Sequence, residues 1–264
     1  MKTALITGAT GTIGKAVALK IAGMQNYRIV IIARDELKAE NTVRTIREET
    51  GNPHVSYLLA DLSRQPEIRR IADEFRSPVH LLINLAGTTP RQRQETPESI
   101  EMQWAVNVLG YFRMIRYFLP QLREGAPSRI VNVVSYWAGN LDLNDPEFKT
   151  RSYDNDTAYR QSKQAERMLT VAFAKRLKEH NITVNACHPG DVHSNLSHDL
   201  GFGGHETPEQ GAATPVWVAT APELAGVTGK YFEHLREKYC PFSNNREAIE
   251  QLYLLCSGYD DNSR

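Results

Sequence analysis

Six short runs rich in apolar and β-branched residues punctuate the chain: TALIT at 3–7, RIVIIA at 28–33, VSYLLA at 55–60, VHLLIN at 79–84, RIVNVVS at 129–135 and ITVNACH at 182–188. Several are nearly continuous in apolar residues, as strands are when helices cover both of their faces. Between them the apolar positions switch to helical spacing: Ala16, Leu19, Ile21 and Ala22, then Val43, Ile46 and Arg47, then Ala165, Met168, Leu169, Ala172 and Phe173. Strand and helix alternate throughout, which predicts an α/β fold with a doubly wound, mostly parallel sheet and helices on both faces. No repeat, low-complexity tract or Pro/Gly-rich linker divides the 264 residues, so one domain is expected over 1–264.

Two stretches break the pattern. The first, YWAGNLDLNDPEFKTRSYDND from 136, is polar and interrupted by Asp, Asn and Pro; the second, GDVHSNLSHDLGFGGHETPEQ from 190, is rich in Gly, Ser and His. Both follow the carboxyl ends of predicted strands, where open α/β sheets bind ligands, so 136–158 and 190–210 are expected to be substrate loops. Asp142, Asp145, Glu147, Asp154 and Asp156 read as a solvated acidic loop. The second stretch reads as a mobile lid over 191–210. Leu196, Leu200 and Phe202 supply apolar contacts, Gly201, Gly203 and Gly204 permit large backbone changes, and Pro208 starts an anchoring helix.

Composition narrows the partners. Acidic and basic side chains balance at 31 each, with no block of like charge, so neither nucleic acid nor an anionic membrane is a favoured partner. Cys187, Cys240 and Cys256 are scattered without a CxxC spacing, and the chain has neither a signal peptide nor an apolar run of membrane-spanning length. A reduced, cytoplasmic, unanchored protein is expected. His188, His193, His198 and His205 cluster, but their irregular spacing and the lack of a carboxylate partner predict no metal site. Trp104, Tyr111, Phe112 and Phe118 read as core or interface packing.

TGATGTIG at 7–14 follows the first predicted strand and opens the first predicted helix. Glycines there let the backbone turn tightly and approach a pyrophosphate, which the helix N-terminus favours; a tight turn with a packing glycine at Gly14 would read the same way. The second predicted strand ends in IIARDELK. Where NAD-binding proteins place a carboxylate for the ribose 2′-hydroxyl stands Ala33, followed by Arg34 and, one helical turn on, Lys38. Cations there suit the 2′-phosphate of NADP(H) over NAD(H), the alternative being that Arg34 caps a surface turn while Asp35 serves the ribose.

In YRQSK, Tyr159 and Lys163 stand four apart on a predicted helix, so both emerge from one face. An ammonium beside a phenol favours the phenolate and makes tyrosine a usable proton donor and acceptor. Ser135 closes its strand, where its hydroxyl could polarise a carbonyl oxygen or merely end the strand.

TGATGTIG, ADL at 60–62, NLAG at 84–87, NVLG at 107–110, VVS at 133–135, YRQSK at 159–163 and HPG at 188–190 together resemble the short-chain dehydrogenase/reductase family, in order and spacing over nearly the whole chain. ARDELK, WAVNVLG, the long loop between Ser135 and Tyr159 and the ending VTGKYF are similar to its retinol-dehydrogenase-like branch. The resemblance implies a Rossmann fold and an NADP(H)-dependent oxidoreductase that transfers hydride between nicotinamide and a carbonyl or alcohol of a small apolar substrate. It implies a catalytic set of Asn107, Ser135, Tyr159 and Lys163. Tyr159 would be the acid/base, Lys163 would lower its pKa and hold the nicotinamide ribose, Ser135 would orient the carbonyl, and Asn107 would keep a helix bend and a relay water. The cofactor would lie against Gly8, Thr10, Gly11, Thr12, Ile13 and Gly14, with Arg34 and Lys38 at its 2′-phosphate. Asp61 and Leu62 would flank the adenine, Asn84, Ala86 and Gly87 would shape the floor, and Pro189, Gly190 and Ser194 would meet the nicotinamide.

One motif departs from the family's compact members, whose turn usually reads TGxxxGxG: Gly11 and Thr12 give the TGxxGxxG of longer sugar-epimerase relatives, yet too few residues follow HPG for their second domain. A redox-neutral isomerisation or cyclisation, or a non-catalytic NADP(H) sensor, would use the same fold. Relatives pair through the helices carrying Asn107 and Tyr159, which leaves a homodimer open, although Arg160, Gln164, Arg167 and Lys175 read as a polar outward face.

Overall fold

The computed structural model describes residues 1–261. The first half alternates as the pattern requires: β1 (Lys2–Thr7), α1 (Thr12–Ala22), β2 (Tyr27–Ala33), α2 (Glu36–Thr50), β3 (Val55–Leu59), α3 (Gln65–Glu74) and β4 (Leu81–Asn84). A π-helical segment, Trp104–Leu109, runs into α4 (Gly110–Tyr117) and α5 (Leu119–Glu124). The second half adds β5 (Ser128–Val133), α6 (Asn155–Leu177), β6 (Ile182–Cys187), α7 (Asn195–Asp199), α8 (Pro208–Gly211), α9 (Ala213–Thr220), β7 (Tyr231–Glu233), β8 (Arg236–Lys238) and α10 (Arg246–Asp261).

The strands form one sheet in the order β3-β2-β1-β4-β5-β6-β7-β8, parallel except for the final β7–β8 hairpin. Successive strand residues point to opposite faces, and each face has its own core. Leu5, Val30, Ile32, Leu82, Ile130 and Val184 pack with α3, α4, α6 and α10; Ala4, Ile6, Ile29, Ile31, Leu81 and Ile83 pack with α1, α2 and α9. This is a single-domain, doubly wound Rossmann architecture. Trp104, Tyr111, Phe112 and Phe118 are buried in it. The hairpin and α10 lie outside the predicted runs: β7 and β8 have three residues each, too few to show a period. No helix among the described residues is long and apolar enough to cross a membrane.

The stretch after Ser135 is not the solvated acidic loop its composition suggested. Asp145 and Glu147 are buried. The Asp145 carboxylate accepts the backbone N–H groups of Lys149 (2.6 Å), Thr150 (3.1 Å) and Arg151 (3.1 Å), folding the loop around itself. Glu147 accepts from the Glu101 N–H at 3.0 Å, Lys149 Nζ at 2.8 Å and the Tyr259 hydroxyl at 2.7 Å. Asp154 caps α6 through the Thr157 N–H at 2.8 Å. Arg167 also turns inward rather than joining a polar outer face: it is buried, donates to the Ser135 carbonyl at 2.8 Å and lies 3.5 Å over the Tyr231 ring.

Candidate active site

The chain reverses its strand order between β1 and β4, and a cleft of about 350 Å³ opens there at the strands' carboxyl ends. Register explains why: Thr7 pairs with Ile32 and Ile6 with Ile83, so β1, β2 and β4 end together and their loops share one rim. The Thr7 hydroxyl clamps the two sides, accepting the N–H groups of Leu85 at 2.9 Å and Ala86 at 3.2 Å.

The glycine turn forms one wall. Gly8 takes φ +70°, and a side chain on it would strike the Ala86 backbone. A side chain on Gly14 would meet the Gly8 carbonyl, so Gly14 lets α1 pack against the turn from behind. Gly11 caps α1 without a side-chain hydrogen bond, and Gly11, Thr12 and Ile13 line the cleft. The first N–H groups of an eleven-residue helix therefore face the cleft without a capping side chain, an arrangement that suits a phosphate.

At the end of β2, Ala33 and Arg34 line the cleft, and Arg34 has no ion-pair partner among the described residues. Lys38 lies outside the wall; its side chain is 72% exposed and its ammonium is 4.0 Å from the Asp35 carboxylate. Asp35 caps α2 by accepting the Lys38 N–H at 2.9 Å and does not line the cleft either. Asp61 and Leu62 line it at the other end, with Asp61 fixed through the Ser63 N–H at 2.8 Å.

Tyr159 and Lys163 enter the cleft from α6, as their spacing predicts. Burial pushes the Tyr159 phenol up, Ser135 opposes that, and the charges of Glu166 and Asp191 add to the rise. Lys163 is not free beside the phenol: its ammonium sits 5.6 Å from the Tyr159 ring centre and pairs with Glu166 at 2.9 Å. In this arrangement burial is the largest influence on the phenol, and the Lys163 ammonium is paired with Glu166, whose charge adds to the rise. Ser135 is buried and its oxygen accepts the Trp137 N–H at 3.1 Å.

Asn107 lies in the π-helical segment, where the Gly110 N–H reaches back to the Ala105 carbonyl. Its buried amide accepts the Thr88 N–H at 2.9 Å and donates to the Thr88 carbonyl at 3.1 Å and Ser162 Oγ at 3.2 Å. Asn107 and Ser135 thus stand just behind the cleft wall.

The wall contains Gly8, Thr10, Gly11, Thr12, Ile13, Arg34, Asp61, Leu62, Ala86, Gly87, Tyr159, Lys163, Pro189 and Ser194. Gly14, Lys38, Asn84 and Gly190 lie outside it. Asn84 is buried and donates to Asn132 at 3.0 Å, and Gly190 takes φ +107° against the Glu206 carboxylate. Sequence reasoning missed Thr88, Val106 and Asn195, which line the cleft, as does Leu196 of the expected lid. Of the three, apolar spacing could have marked only Val106.

An aromatic cluster is formed by residues that follow β5 and β6 and by the segment after α7. The Tyr136 ring lies 4.7 Å from the His188 ring and 6.0 Å from Trp137, and Phe202 lies 4.7 Å from Trp137. The Tyr136 hydroxyl donates to Asp191 at 3.2 Å. Burial drives His188 down to about 3, helped by His234 and Arg167, so its imidazole is neutral.

The sequence profile described as short chain dehydrogenase matches residues 2–201. Among curated proteins, human retinol dehydrogenase 13 is 36% identical over 96% of this chain and 82% of its own length. Mouse polyprenol dehydrogenase is 33% identical over 97% and 82%. Among solved structures, a protein from Mycobacterium Paratuberculosis superposes with a TM-score of 0.82 at 25% identity, covering 99% of this chain and 94% of that one. The Pseudomonas aeruginosa RhlG/NADP active-site complex does so with a TM-score of 0.71 at 25% identity, covering 88% and 94%.

Proposed function

The chain belongs to the short-chain dehydrogenase/reductase family, in its retinol-dehydrogenase-like branch, and from that premise we propose that this oxidoreductase uses NADP(H) to interconvert a carbonyl and an alcohol on a small apolar substrate, with Tyr159 as the acid/base. The observation that carries this reading is that the uncapped start of α1 and the Tyr159–Lys163 pair open into one cleft. The same features fit a nicotinamide dinucleotide. The α1 N-terminus with Gly8, Gly11 and Thr12 would hold the pyrophosphate, Asp61 and Leu62 the adenine, Arg34 the 2′-phosphate, and Lys163 with Pro189 and Ser194 the nicotinamide end. When bound, the cofactor supplies or accepts a hydride at the nicotinamide ring.

In the reducing direction Tyr159 would give its phenol proton to the carbonyl oxygen, leaving the phenolate. Ser135 orients that oxygen, and Asn107, tied to Thr88 and Ser162, keeps the π-helical bend behind Tyr159 from which the phenol is recharged from water. Tyr136, Trp137 and Phe202 form the apolar side on which the substrate rests, in keeping with relatives named for retinol and polyprenol. A homodimer through α4 and α6 would have to accommodate α10, whose Tyr253 packs 5.3 Å from Phe112 and 5.4 Å from Phe173.

NADP(H) preference is tested at Arg34. Losing its charge-assisted contact should weaken NADPH binding by about 1.5–3 kcal/mol, roughly 10- to 150-fold, with NADH binding little changed. Fluorescence titration of both cofactors on the parent and Arg34→Ala reads this. Equal affinity for both in the parent would overturn the preference.

Residues 191–210 are proposed to close over the bound cofactor and substrate. Val192 and Glu206 bridge at the base of the segment, Ser194 caps α7 with a capping box, Leu196 reaches the cleft, and Phe202 rests on Trp137. Amide hydrogen exchange across 191–210 should slow on adding NADPH with a substrate analogue. Equal exchange in both states would show that no lid closes.

A further inference from the structure

One turn beyond Lys163 on the same buried face of α6 lies Glu166. The Lys163 ammonium is 2.9 Å and 3.0 Å from its two carboxylate oxygens and 3.5 Å from the Val133 carbonyl. The Glu166 side chain has no solvent exposure and that of Lys163 only 5%, so this is not a surface pair of helix neighbours. The groups facing Glu166 are Lys163, Arg167 and Tyr159 from α6 itself and Tyr111 from α4. Burial pushes the carboxyl up to about 7 against the pull of Lys163 and Arg167, so it is ionised throughout the alkaline range.

An ammonium bound to a carboxylate presents a dipole where a bare one presents a full charge, and its help to a nearby phenolate shrinks accordingly. Resting on the reading of Tyr159 and Lys163 given above, we propose that Glu166 is a positioning residue: it fixes the Lys163 ammonium and offsets its charge, so Tyr159 keeps its proton into alkaline pH and the site is set to reduce carbonyls near neutrality. Two of the lysine's three donors are committed to Glu166, and the third makes the longest contact, to the Val133 carbonyl, which is the one a bound cofactor would compete for. Oxidation of an alcohol needs the phenolate as proton acceptor and therefore gains only as pH rises. Reduction needs the phenol, which persists at neutral pH.

Ultraviolet titration of phenol ionisation tests this on the protein without cofactor. The Tyr159 step is isolated by subtracting the curve of the matching Tyr159→Phe protein. Glu166→Gln is expected to move that step down by roughly 1–3 pH units, the usual effect of an unopposed neighbouring charge. Glu166→Asp, which keeps the charge, is expected to stay near the parent. An unmoved step in Glu166→Gln, or an equal shift in Glu166→Asp, would overturn the role. Should Glu166→Gln not fold, the unmodified enzyme decides: the limb along which its alcohol oxidation rises with pH is expected well above neutrality, and a rise complete at or below neutrality would overturn the proposal. The two readings fail separately. A protein without turnover would sink the proposed function while the phenol titration still decides Glu166, and an active enzyme with an unmoved step would sink only Glu166.

Discussion

Tyr159→Phe is expected to lower turnover by at least about 10²-fold while NADPH still binds, the size of effect that follows from removing a positioned acid/base. Of the eleven tyrosines in the chain, Tyr159 is the one among the described residues that lines the cleft. Its nearest rival, Tyr111, is fully buried and spends its hydroxyl on the Val133 carbonyl at 3.2 Å. The substitution removes a single oxygen from a side chain whose ring is already packed, so folding and the cofactor wall should survive it. Steady-state rates with a panel of apolar aldehydes and NADPH, beside a fluorescence titration of NADPH binding, separate the two effects. A variant retaining more than roughly a tenth of the parent rate would remove Tyr159 from the chemistry.

The sheet and its covering helices were legible because parallel strands buried on two sides leave unbroken apolar runs, as in RIVIIA, and Gly8 and Gly14 were legible because backbone contacts there exclude a side chain. Tyr159 and Lys163 showed themselves by helical spacing. What stayed hidden were charges whose burial is set by distant chain. Glu166, three residues beyond Lys163, carried no signal of its own in the sequence, and Arg167 read as an outward cation, until β7 brought Tyr231 over its guanidinium. Asp145 and Glu147 looked solvated because their acceptors are filled by backbone N–H groups and by side chains as remote as Tyr259. Lys38 followed the helical period correctly, but that period carried it to solvent beside Asp35 and away from the cleft. Periodicity reports which face a residue takes, and only tertiary contacts report what covers that face.

The largest expected loss of stability lies far from the cleft, at Asp260. Its carboxylate ties α10 to α4, accepting Arg113 Nε at 2.9 Å and Arg116 Nη1 at 3.3 Å, with the Arg113 and Asp260 side chains only 2% and 3% exposed. A carboxylate near a helix C-terminus opposes the helix dipole, and the two arginines offset that as well as the desolvation. Asp260→Ala leaves the Arg113 guanidinium buried without its partner, which should cost about 3–5 kcal/mol and lower the melting temperature by roughly 6–20 °C for a domain of this size. The more exposed pair between Glu250 of the same helix and Arg176 of α6 is the control, since Glu250→Ala should cost less than about 1 kcal/mol. Replacing both partners with apolar residues of similar volume, Arg113→Met with Asp260→Leu, should recover most of the loss, because the penalty comes from the stranded charge. Chemical and thermal unfolding of the four proteins measures this. An Asp260→Ala protein no less stable than Glu250→Ala would show that α10 is held by its apolar face, through Tyr253, Ile249 and Leu252, without need of the buried pair.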